Sequence, residues 1–385
     1  MSNRADPVIT LAQQLIERPS ITPDDAGCQT LIADRLTQAG FVIEHLDFGP
    51  VSNLWATHGQ GSPILVFAGH SDVVPPGPES RWTVPPFAGI VRGDWLFGRG
   101  AVDMKGALAA MVEAAVAWVT ACPEHAGTLA LLVTSDEEGE AVDGTSRVLS
   151  RLHEQGITVT GAIIGEPSSR ARAGDALRIG RRGSLSGEIR IEGQSGHVGY
   201  VPAQANVVHR LIAFLNQCLS LDLPTGESIF PPLSFHVTSI TSDCIGRNVI
   251  PAEACATFNL RYPPTLSNQK LERHIQTLLE AIPEPHELLW RRSAKPYLSS
   301  PGRLRACARE VLHIKLGHDP ELRVDGGTSD GRFFSDQGSE VIELGLVSER
   351  LHAPDERVSI RDLQTLFEIY REIVERFLEY HPGVP

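Results

Sequence analysis

The sequence has 385 residues, of which 42% are hydrophobic and 21% charged, and its formal net charge at pH 7 is −13. A globular chain of this length usually folds as two domains, and the negative charge disfavours nucleic acid and anionic membranes as partners. Six cysteines lie far apart without a C-x-x-C pair, which predicts free thiols in a reducing compartment. No apolar signal core and no run of 18 apolar residues occurs, so we expect a cytoplasmic protein.

Hydrophobic periodicity predicts two helices at the start of the chain and then two strands, at 6–18, 24–39, 41–47 and 53–57. Near-continuous apolar runs follow at 65–70, 128–134, 161–165 and 340–345. Such runs suit strands that are covered on both faces, and they predict an α/β domain whose mixed, largely parallel sheet is flanked by helices. The segment 98–106 reads as a loop that delivers Asp103 at the start of an Ala-rich helix. A dinucleotide fingerprint at Gly98 is not favoured, because its third glycine is missing.

After residue 166 the pattern changes from continuous apolar runs to alternation. Strands are predicted at 178–192, within 233–262 and at 286–293, with helices at 203–219 and 268–282. This order of elements forms a compact α+β unit. We therefore predict a catalytic domain of residues 1–182 and 296–385, interrupted by an inserted domain at 183–295. The last predicted element of the catalytic domain is a helix at 360–380.

Histidine and acidic residues follow four of the predicted apolar strands. They are His70, Glu138, Glu166 and His352, and Asp103 stands at a predicted helix start. Open sheets bind ligands at the carboxyl ends of their strands, so we expect these side chains to form one site. Taken singly, each has an ordinary reading as a turn, a helix cap or a structural histidine. Together, imidazole and carboxylate groups predict a metal site that suits zinc, with cobalt or manganese as alternatives.

Asp103 and two further acidic residues close to this group in the sequence, Asp72 and Glu137, have more specific expected roles. A site for two metals usually has one bridging carboxylate, and Asp103 is the candidate. Asp72 lies two residues after His70 and is placed to hold the second ring nitrogen. Glu137, beside Glu138, is the candidate general base.

A serine hydrolase that uses Ser329 is the alternative from a different class. Residues 327–331 (GTSDG) match the nucleophile-elbow pattern and His352 follows, but the strand before them is weakly apolar. Arg181, Arg182 and Arg261 fit a clamp for substrate carboxylates, although solvated surface arginines are the simpler interpretation. Residues 326–329 form either an anion-binding nest or a plain turn.

Four motifs resemble the co-catalytic zinc aminoacylase and carboxypeptidase family of metallopeptidases. They are residues 69–72 (GHSD), 100–106 (GAVDMKG), 135–139 (SDEEG) and 165–168 (GEPS), and the likeness runs nearly end to end. The resemblance implies a catalytic domain with two zinc ions per subunit, cobalt being possible. It also implies that the inserted domain is a ferredoxin-like lid through which two subunits form a homodimer.

The resemblance also implies roles for individual residues. The expected metal ligands are His70 and Glu166 for one zinc, Glu138 and His352 for the other, and Asp103 as the bridge. Glu137 is the expected base, and His197 is expected to reach the neighbouring subunit's site. The expected substrate contacts are Arg181, Ser184, Tyr200, Asn248, Arg261, Ser293, Gly327 and Thr328.

The resemblance implies hydrolysis of N-succinyl-LL-2,6-diaminopimelate to succinate and LL-2,6-diaminopimelate, in lysine and cell-wall biosynthesis. In this reaction Glu137 takes a proton from the attacking water and passes it to the leaving amine. Deacylation of another N-acyl amino acid, such as acetylornithine, is the alternative. The segment 351–356 (LHAPDE) keeps that alternative open. Asp355 stands where the family members that cleave the succinyl substrate usually have asparagine.

Overall fold

The computed structural model describes residues 6–224, 229–244 and 246–379. The chain separates into two compact units. The first contains the residues up to Ile179, Ser299–Arg323 and the residues from Ser329 onward, and the second contains Gly180–Leu298 and Val324–Thr328. The second unit includes the predicted insertion at 183–295, and it also includes Val324–Thr328, which were expected to belong to the catalytic domain.

The described parts of the chain contain nine α-helices. They are α1 Pro7–Ile16, α2 Cys28–Thr37, α3 Lys105–Ala121, α4 Thr145–Glu154, α5 Val207–Leu219, α6 Asn268–Leu279, α7 Arg303–Leu316, α8 Gly331–Asp336 and α9 Ile360–Leu378. Helices α4, α7 and α8 were not predicted from the sequence. The predicted end of the last helix, residue 380, lies outside the described residues.

Nineteen strands lie in the same parts of the chain. They are β1 Val42–His45, β2 Asn53–Gln60, β3 Ile64–His70, β4 Ile90–Arg92, β5 Trp95–Phe97, β6 Gly127–Thr134, β7 Gly161–Ile164, β8 Ala176–Arg178, β9 Gly180–Arg181, β10 Gly183–Glu192, β11 Gly196–His197, β12 Ser234–Ser242, β13 Val249–Ile250, β14 Glu253–Tyr262, β15 His286–Ala294, β16 Tyr297–Leu298, β17 Glu321–Arg323, β18 Glu340–Glu343 and β19 Arg357–Ser359. The single strand predicted over 178–192 is therefore divided into parts of β8, β9 and β10.

The first unit is built on an eight-stranded sheet with the order β1-β2-β6-β3-β7-β18-β8-β17. Strand β3 is parallel to both β6 and β7, β18 is parallel to β7, and β17 is parallel to β8. The pairings β1–β2, β2–β6 and β18–β8 are antiparallel. The predicted α/β class with a mixed, largely parallel sheet is thus confirmed.

Burial explains why the central strands read as continuous apolar runs. Every residue of β6 and β7 is buried, as expected for strands that are covered on both faces. Helix α3 packs against α1 and α9, and α7 packs against α9 and β18. Small alanine side chains let α3 approach its neighbours closely, and nearly all of this helix is buried.

The second unit has a four-stranded antiparallel sheet with the order β12-β14-β10-β15. Along the chain its elements run strand, helix, strand, strand, helix, strand, with β10 and β14 in the middle of the sheet. This is the ferredoxin-like arrangement. Strands β10 and β14 alternate between buried and more exposed residues, because one face of the sheet packs on a core shared with α5 and α6.

Among the described residues, no helix combines the length and the apolar character needed to cross a membrane.

Candidate metal centre

The carboxyl ends of the parallel strands bring the candidate ligands to one edge of the main sheet. His70 is the last residue of β3 and pairs with Thr134, the last residue of β6. Glu137 and Glu138 stand three and four residues after Thr134, and Glu166 stands two residues after β7. This edge is where sheets of this type bind ligands.

One group of candidate ligand atoms is buried. His70 Nε2 lies 3.3 Å from Asp103 Oδ1 and 3.7 Å from Glu166 Oε1, and all three residues are less than 10% exposed. Two atoms that bind one zinc ion tetrahedrally, each at 2.0–2.1 Å, lie about 3.3 Å apart. The observed separations therefore fit ligands that share a metal ion.

The other group faces solvent. His352 Nε2 lies 3.1 Å from Asp103 Oδ2 and 3.0 Å from Glu138 Oε1, and the His352 side chain is 44% exposed. Asp103 thus presents one carboxylate oxygen to each histidine. Within the described residues, these two groups of histidine and acidic side chains are the ones close enough to hold metal ions, and Asp103 belongs to both.

The charges in this cluster favour a cation. Burial alone would lower the pKa of His70, but its hydrogen bond to Asp103 and the charges of Asp72 and Asp103 raise that pKa well above its usual value. Hydrogen bonds to Asp103 and Glu138 raise the pKa of His352 to about 10. Although burial acts in the opposite direction, the two histidines hold the pKa of Asp103 below its usual value. Positive charge is therefore stabilised at the imidazoles, and the same carboxylates would stabilise a metal ion.

The Asp72 carboxylate is hydrogen-bonded to the turn after β6, and the His70 ring is nearer to the backbone of Asp72 than to this carboxylate. Its carboxylate oxygens accept hydrogen bonds from the backbone N–H groups of Glu137 and Glu138, at 3.4 Å and 3.1 Å. His70 Nδ1 lies 2.8 Å from the backbone carbonyl oxygen of Asp72 and 3.6 Å from its carboxylate. The ring nitrogen that we expected to meet the side chain therefore has its nearest contact with the backbone of the same residue.

Glu137 belongs to neither group of candidate ligands, but it is close enough to Glu166, His70 and Glu138 for their charges to affect its pKa. Burial of its carboxyl raises its pKa well above the usual value, the charge of Glu166 adds to this effect, and that of His70 opposes it. A carboxyl with a raised pKa can accept and return a proton near neutral pH. This position suits a proton carrier.

Two buried charged residues beside the cluster were not predicted from the sequence to be part of the site. Arg99 and Glu356 form an ion pair with 2.6 Å between Nη1 and Oε2. The available signals were the position of Arg99 between two glycines just before Asp103, and that of Glu356 four residues after His352.

In the second unit, three of the predicted residues lie together near β11. His197 Nε2 and Asn248 Nδ2 are 3.1 Å apart, and His197 Nδ1 accepts a hydrogen bond from the backbone N–H of Gly199. The ring of Tyr200 lies 5.5 Å from that of His197, and Tyr200 is 88% exposed. This cluster is accessible and rich in hydrogen-bonding groups.

The second unit also contains three arginines, Arg181, Arg182 and Arg261, whose charges interact. Ser184 pairs with Arg261 across β10 and β14, and Arg181 Nη1 donates to the backbone oxygen of Gly327, the residue before Thr328. Burial lowers the pKa of Arg261, and the charges of Arg182 and Arg181 lower it further. Among the described residues, Arg182 Nε and Arg261 Nη1 are buried without a hydrogen-bond partner. A carboxylate on a bound molecule would satisfy these donors.

Ser293 is exposed on β15 and lies at an irregularity in the pairing of that strand with β10, between the partners of Ser184 and Leu185. Bulges of this kind often re-aim side chains next to binding sites.

The surroundings of Ser329 do not support the serine-hydrolase alternative. Ser329 is 1% exposed, and its Oγ accepts a hydrogen bond from the backbone N–H of Gly331. The preceding strand, β17, ends at Arg323 instead of leading directly into the serine. His352 contacts the carboxylates of Asp103 and Glu138.

Comparison with known sequences gives concordant results. The sequence model of peptidase family M20/M25/M40 matches residues 66–376. A curated relative from Xanthomonas campestris pv. campestris (strain 8004) is 49% identical over 371 residues, which cover 96% of this chain and 99% of that protein. Another, from Stenotrophomonas maltophilia (strain R551-3), is 47% identical with the same coverage. Both are named succinyl-diaminopimelate desuccinylase.

Solved structures show the same fold at low sequence identity. The M20 family metallo-carboxypeptidase Sso-CP2 from Sulfolobus solfataricus is similar with a TM-score of 0.81 and 17% identity, over 97% of this chain and 99% of that one. The YXEP protein of Bacillus subtilis, described as a dinuclear metal binding peptidase from the M20 family, gives a TM-score of 0.72 and 16% identity, over 97% and 98%.

Proposed function

Because the chain belongs to peptidase family M20/M25/M40, we propose that it is a metal-dependent amidohydrolase that converts N-succinyl-LL-2,6-diaminopimelate to succinate and LL-2,6-diaminopimelate. The two curated relatives are named for this activity, and each aligns with 96% of this chain. The observation that carries the proposal is the position of Asp103, whose two carboxylate oxygens face two different groups of candidate ligands. A single carboxylate between two such groups is the usual bridge in a site for two metal ions.

The proposed ligands are His70 and Glu166 for one ion, Glu138 and His352 for the other, and Asp103 for both. Two imidazoles among carboxylates favour zinc over magnesium or calcium, which prefer oxygen ligands, and cobalt is an acceptable substitute. When bound, such ions polarise a carbonyl group and lower the pKa of water from about 16 to about 7.

Glu137 is the proposed general base. Its carboxylate accepts a proton from the attacking water and then delivers that proton to the amine that leaves. Asp72 supports this role, because it fixes the backbone of the turn that carries Glu137. A neighbouring ligand, Glu138, is held by the same carboxylate, so the base and the metal site keep a constant separation.

Substrate carboxylates are proposed to bind the arginines of the second unit. The succinyl group adds one carboxylate that an acetyl group lacks, and the buried donors of Arg182 and Arg261 are suited to anions. The remaining proposed contacts, which the family resemblance implies, are Arg181, Ser184, Tyr200, Asn248, Ser293, Gly327 and Thr328. We further propose that the second unit acts as a lid, that it joins two subunits in a homodimer, and that His197 of one subunit serves the site of the other.

Turnover and metal content test the proposal directly. Zinc analysis should give two ions per subunit, and N-succinyl-LL-2,6-diaminopimelate should be hydrolysed faster than acetylornithine. Loss of one charge-assisted hydrogen bond costs about 1.5–3 kcal/mol, so the difference in kcat/KM should be about 10- to 100-fold or more. Equal or higher activity on acetylornithine would refute the assigned substrate, and a metal-free active enzyme would refute the mechanism.

The proposed location is the cytoplasm. All six cysteines are free, which agrees with a reducing compartment.

A further inference from the structure

The buried ion pair of Arg99 and Glu356 joins two segments that are distant in the sequence. Arg99 is 2% exposed and Glu356 is not exposed at all, and Nη1 lies 2.6 Å from Oε2. A buried pair of this kind adds little stability compared with apolar residues of similar volume, because desolvation offsets the attraction. A role in stability alone therefore does not account for it.

Glu356 fixes the backbone that leads to the shared carboxylate. Its Oε1 accepts hydrogen bonds from the backbone N–H groups of Val102 and Asp103, at 2.8 Å and 3.1 Å, and its Oε2 accepts one from Gly100 at 3.1 Å. The backbone oxygen of Glu356 accepts a further one from Gly98. A single carboxylate thus accepts three N–H groups of the loop that ends at Asp103.

Arg99 contacts the other segment at its candidate ligand. Arg99 Nη2 donates to the backbone oxygen of His352 at 3.2 Å. His352 has a backbone φ of +58° and Asp355 one of +56°, a region that L-residues other than glycine seldom occupy and that the surrounding structure must hold in place. Asp355 is held as well, because its Oδ1 accepts hydrogen bonds from the backbone N–H and the hydroxyl of Thr83.

From these contacts we infer that Arg99 and Glu356 are positioning residues that set the distance between Asp103 and His352 before metal binds. Asp103 Oδ2 and His352 Nε2 are 3.1 Å apart, and each belongs to a segment that the ion pair holds through its backbone. This inference rests on the proposed metal centre. It adds that the centre is formed in advance by a charge pair that contacts no metal.

Metal binding to the purified protein, stripped of metal by a chelator and titrated with zinc, tests the inference. Glu356→Gln and Arg99→Met should each lower zinc affinity about 10- to 100-fold, the range found when residues that support metal ligands are replaced. The double variant should lose little more than either single variant, because both changes break the same pair. The conservative variant Arg99→Lys should restore part of the affinity, since it keeps the charge.

Glu113→Gln is the matched control. Arg35 and Glu113 form another ion pair of the first unit, at 2.8 Å and 2.7 Å, and Glu113 is 4% exposed. It lies on α3 about 12 Å along the helix axis from Lys105. We expect Glu113→Gln to lower the unfolding temperature of the metal-free protein without a change in zinc affinity.

The outcomes separate this inference from the proposed function. Unchanged zinc affinity in Glu356→Gln and Arg99→Met, or an equal loss in Glu113→Gln, overturns the positioning role. If Glu356→Gln does not fold, the comparison of Arg99→Lys with Arg99→Met decides, and equal affinities overturn the inference. A wild-type protein that binds two zinc ions but does not cleave the succinyl substrate contradicts only the assigned reaction.

Discussion

Replacement of Asp103 by alanine examines whether one carboxylate serves two metal ions. Each candidate group has three ligand atoms, and Asp103 contributes one to each, at 3.3 Å from His70 and 3.1 Å from His352. The variant leaves two ligands in both groups. His352→Ala, by contrast, leaves two ligands in one group and all three in the other.

These ligand counts give different expected affinities. Loss of a ligand should cost at least the 10- to 100-fold in metal affinity that loss of a supporting residue costs, which corresponds to about 1.4–2.7 kcal/mol per ion. In Asp103→Ala this loss applies to both ions, so the joint binding constant should fall at least about 10²- to 10⁴-fold. In His352→Ala it applies mainly to one ion.

The assay is elemental analysis after dialysis against a zinc buffer, together with calorimetric titration of the metal-free protein. We expect about one tightly bound zinc per subunit in His352→Ala and less than one in Asp103→Ala. Circular dichroism of both variants controls for folding. Two tightly bound zinc ions per subunit in Asp103→Ala would refute the bridging role and with it the main argument for a dinuclear centre.

Three further predictions follow from individual contacts. Glu137→Gln should keep both metals and lower kcat by about 10²- to 10⁴-fold, because it removes the proton carrier; near-normal turnover with full zinc would contradict this role. Gly345→Ala should lower both the unfolding temperature and the zinc content, since a Cβ there would lie 2.4 Å from the backbone oxygens of Gly165 and Glu166; a variant as stable and as metal-rich as wild type would argue against it. In the metal-free protein, the raised pKa of His352 should contribute stability below pH 6.5 that is lost as the pH rises toward about 10, so unfolding temperatures of wild type and His352→Ala should converge over that interval.

Local sequence pattern was enough to locate the central strands and the side chains at their ends. The apolar runs that end near His70, Glu138 and Glu166 carry this information because strands buried on both faces must be apolar throughout. Parallel neighbours then bring their carboxyl ends to one edge. The short strand β18 fits the same pattern and is parallel to β7.

Features that depend on contacts between distant residues could not be predicted from the local sequence pattern. Arg99 and Glu356 are 257 residues apart in the sequence, so neither shows from its neighbours that it has a buried partner. The contact of the His70 ring with the backbone oxygen of Asp72 could not be predicted either. Every residue has a carbonyl group, so the sequence does not show which of them a side chain contacts. Helix α7 was not predicted although its buried apolar residues, Leu304, Ala308, Val311 and Leu312, keep helical spacing, so this part of the fold could have been found from the sequence.

His197 provides the last prediction, because its proposed role concerns a second subunit. It lies in the second unit beside Asn248 and an exposed Tyr200, while the candidate metal ligands belong to the first unit. If the two zinc ions polarise the carbonyl from one side, the developing oxyanion requires a further donor, which is worth about 2.7–4 kcal/mol. His197→Ala should therefore lower kcat about 10²- to 10³-fold with zinc content unchanged.

Complementation distinguishes a histidine that acts in the partner's site from one that acts in its own. Glu137→Gln and His197→Ala are each expected to be nearly inactive, and they can be mixed under conditions in which subunits exchange. A mixed dimer in which His197 acts across the interface has one site with both defects and one with neither, so activity should return. If His197 acts within its own subunit, each site keeps one defect and no activity returns. A mixture of Glu137→Gln with Asp103→Ala is the control: both changes affect the first unit of their own subunit, so exchange should restore nothing in either case.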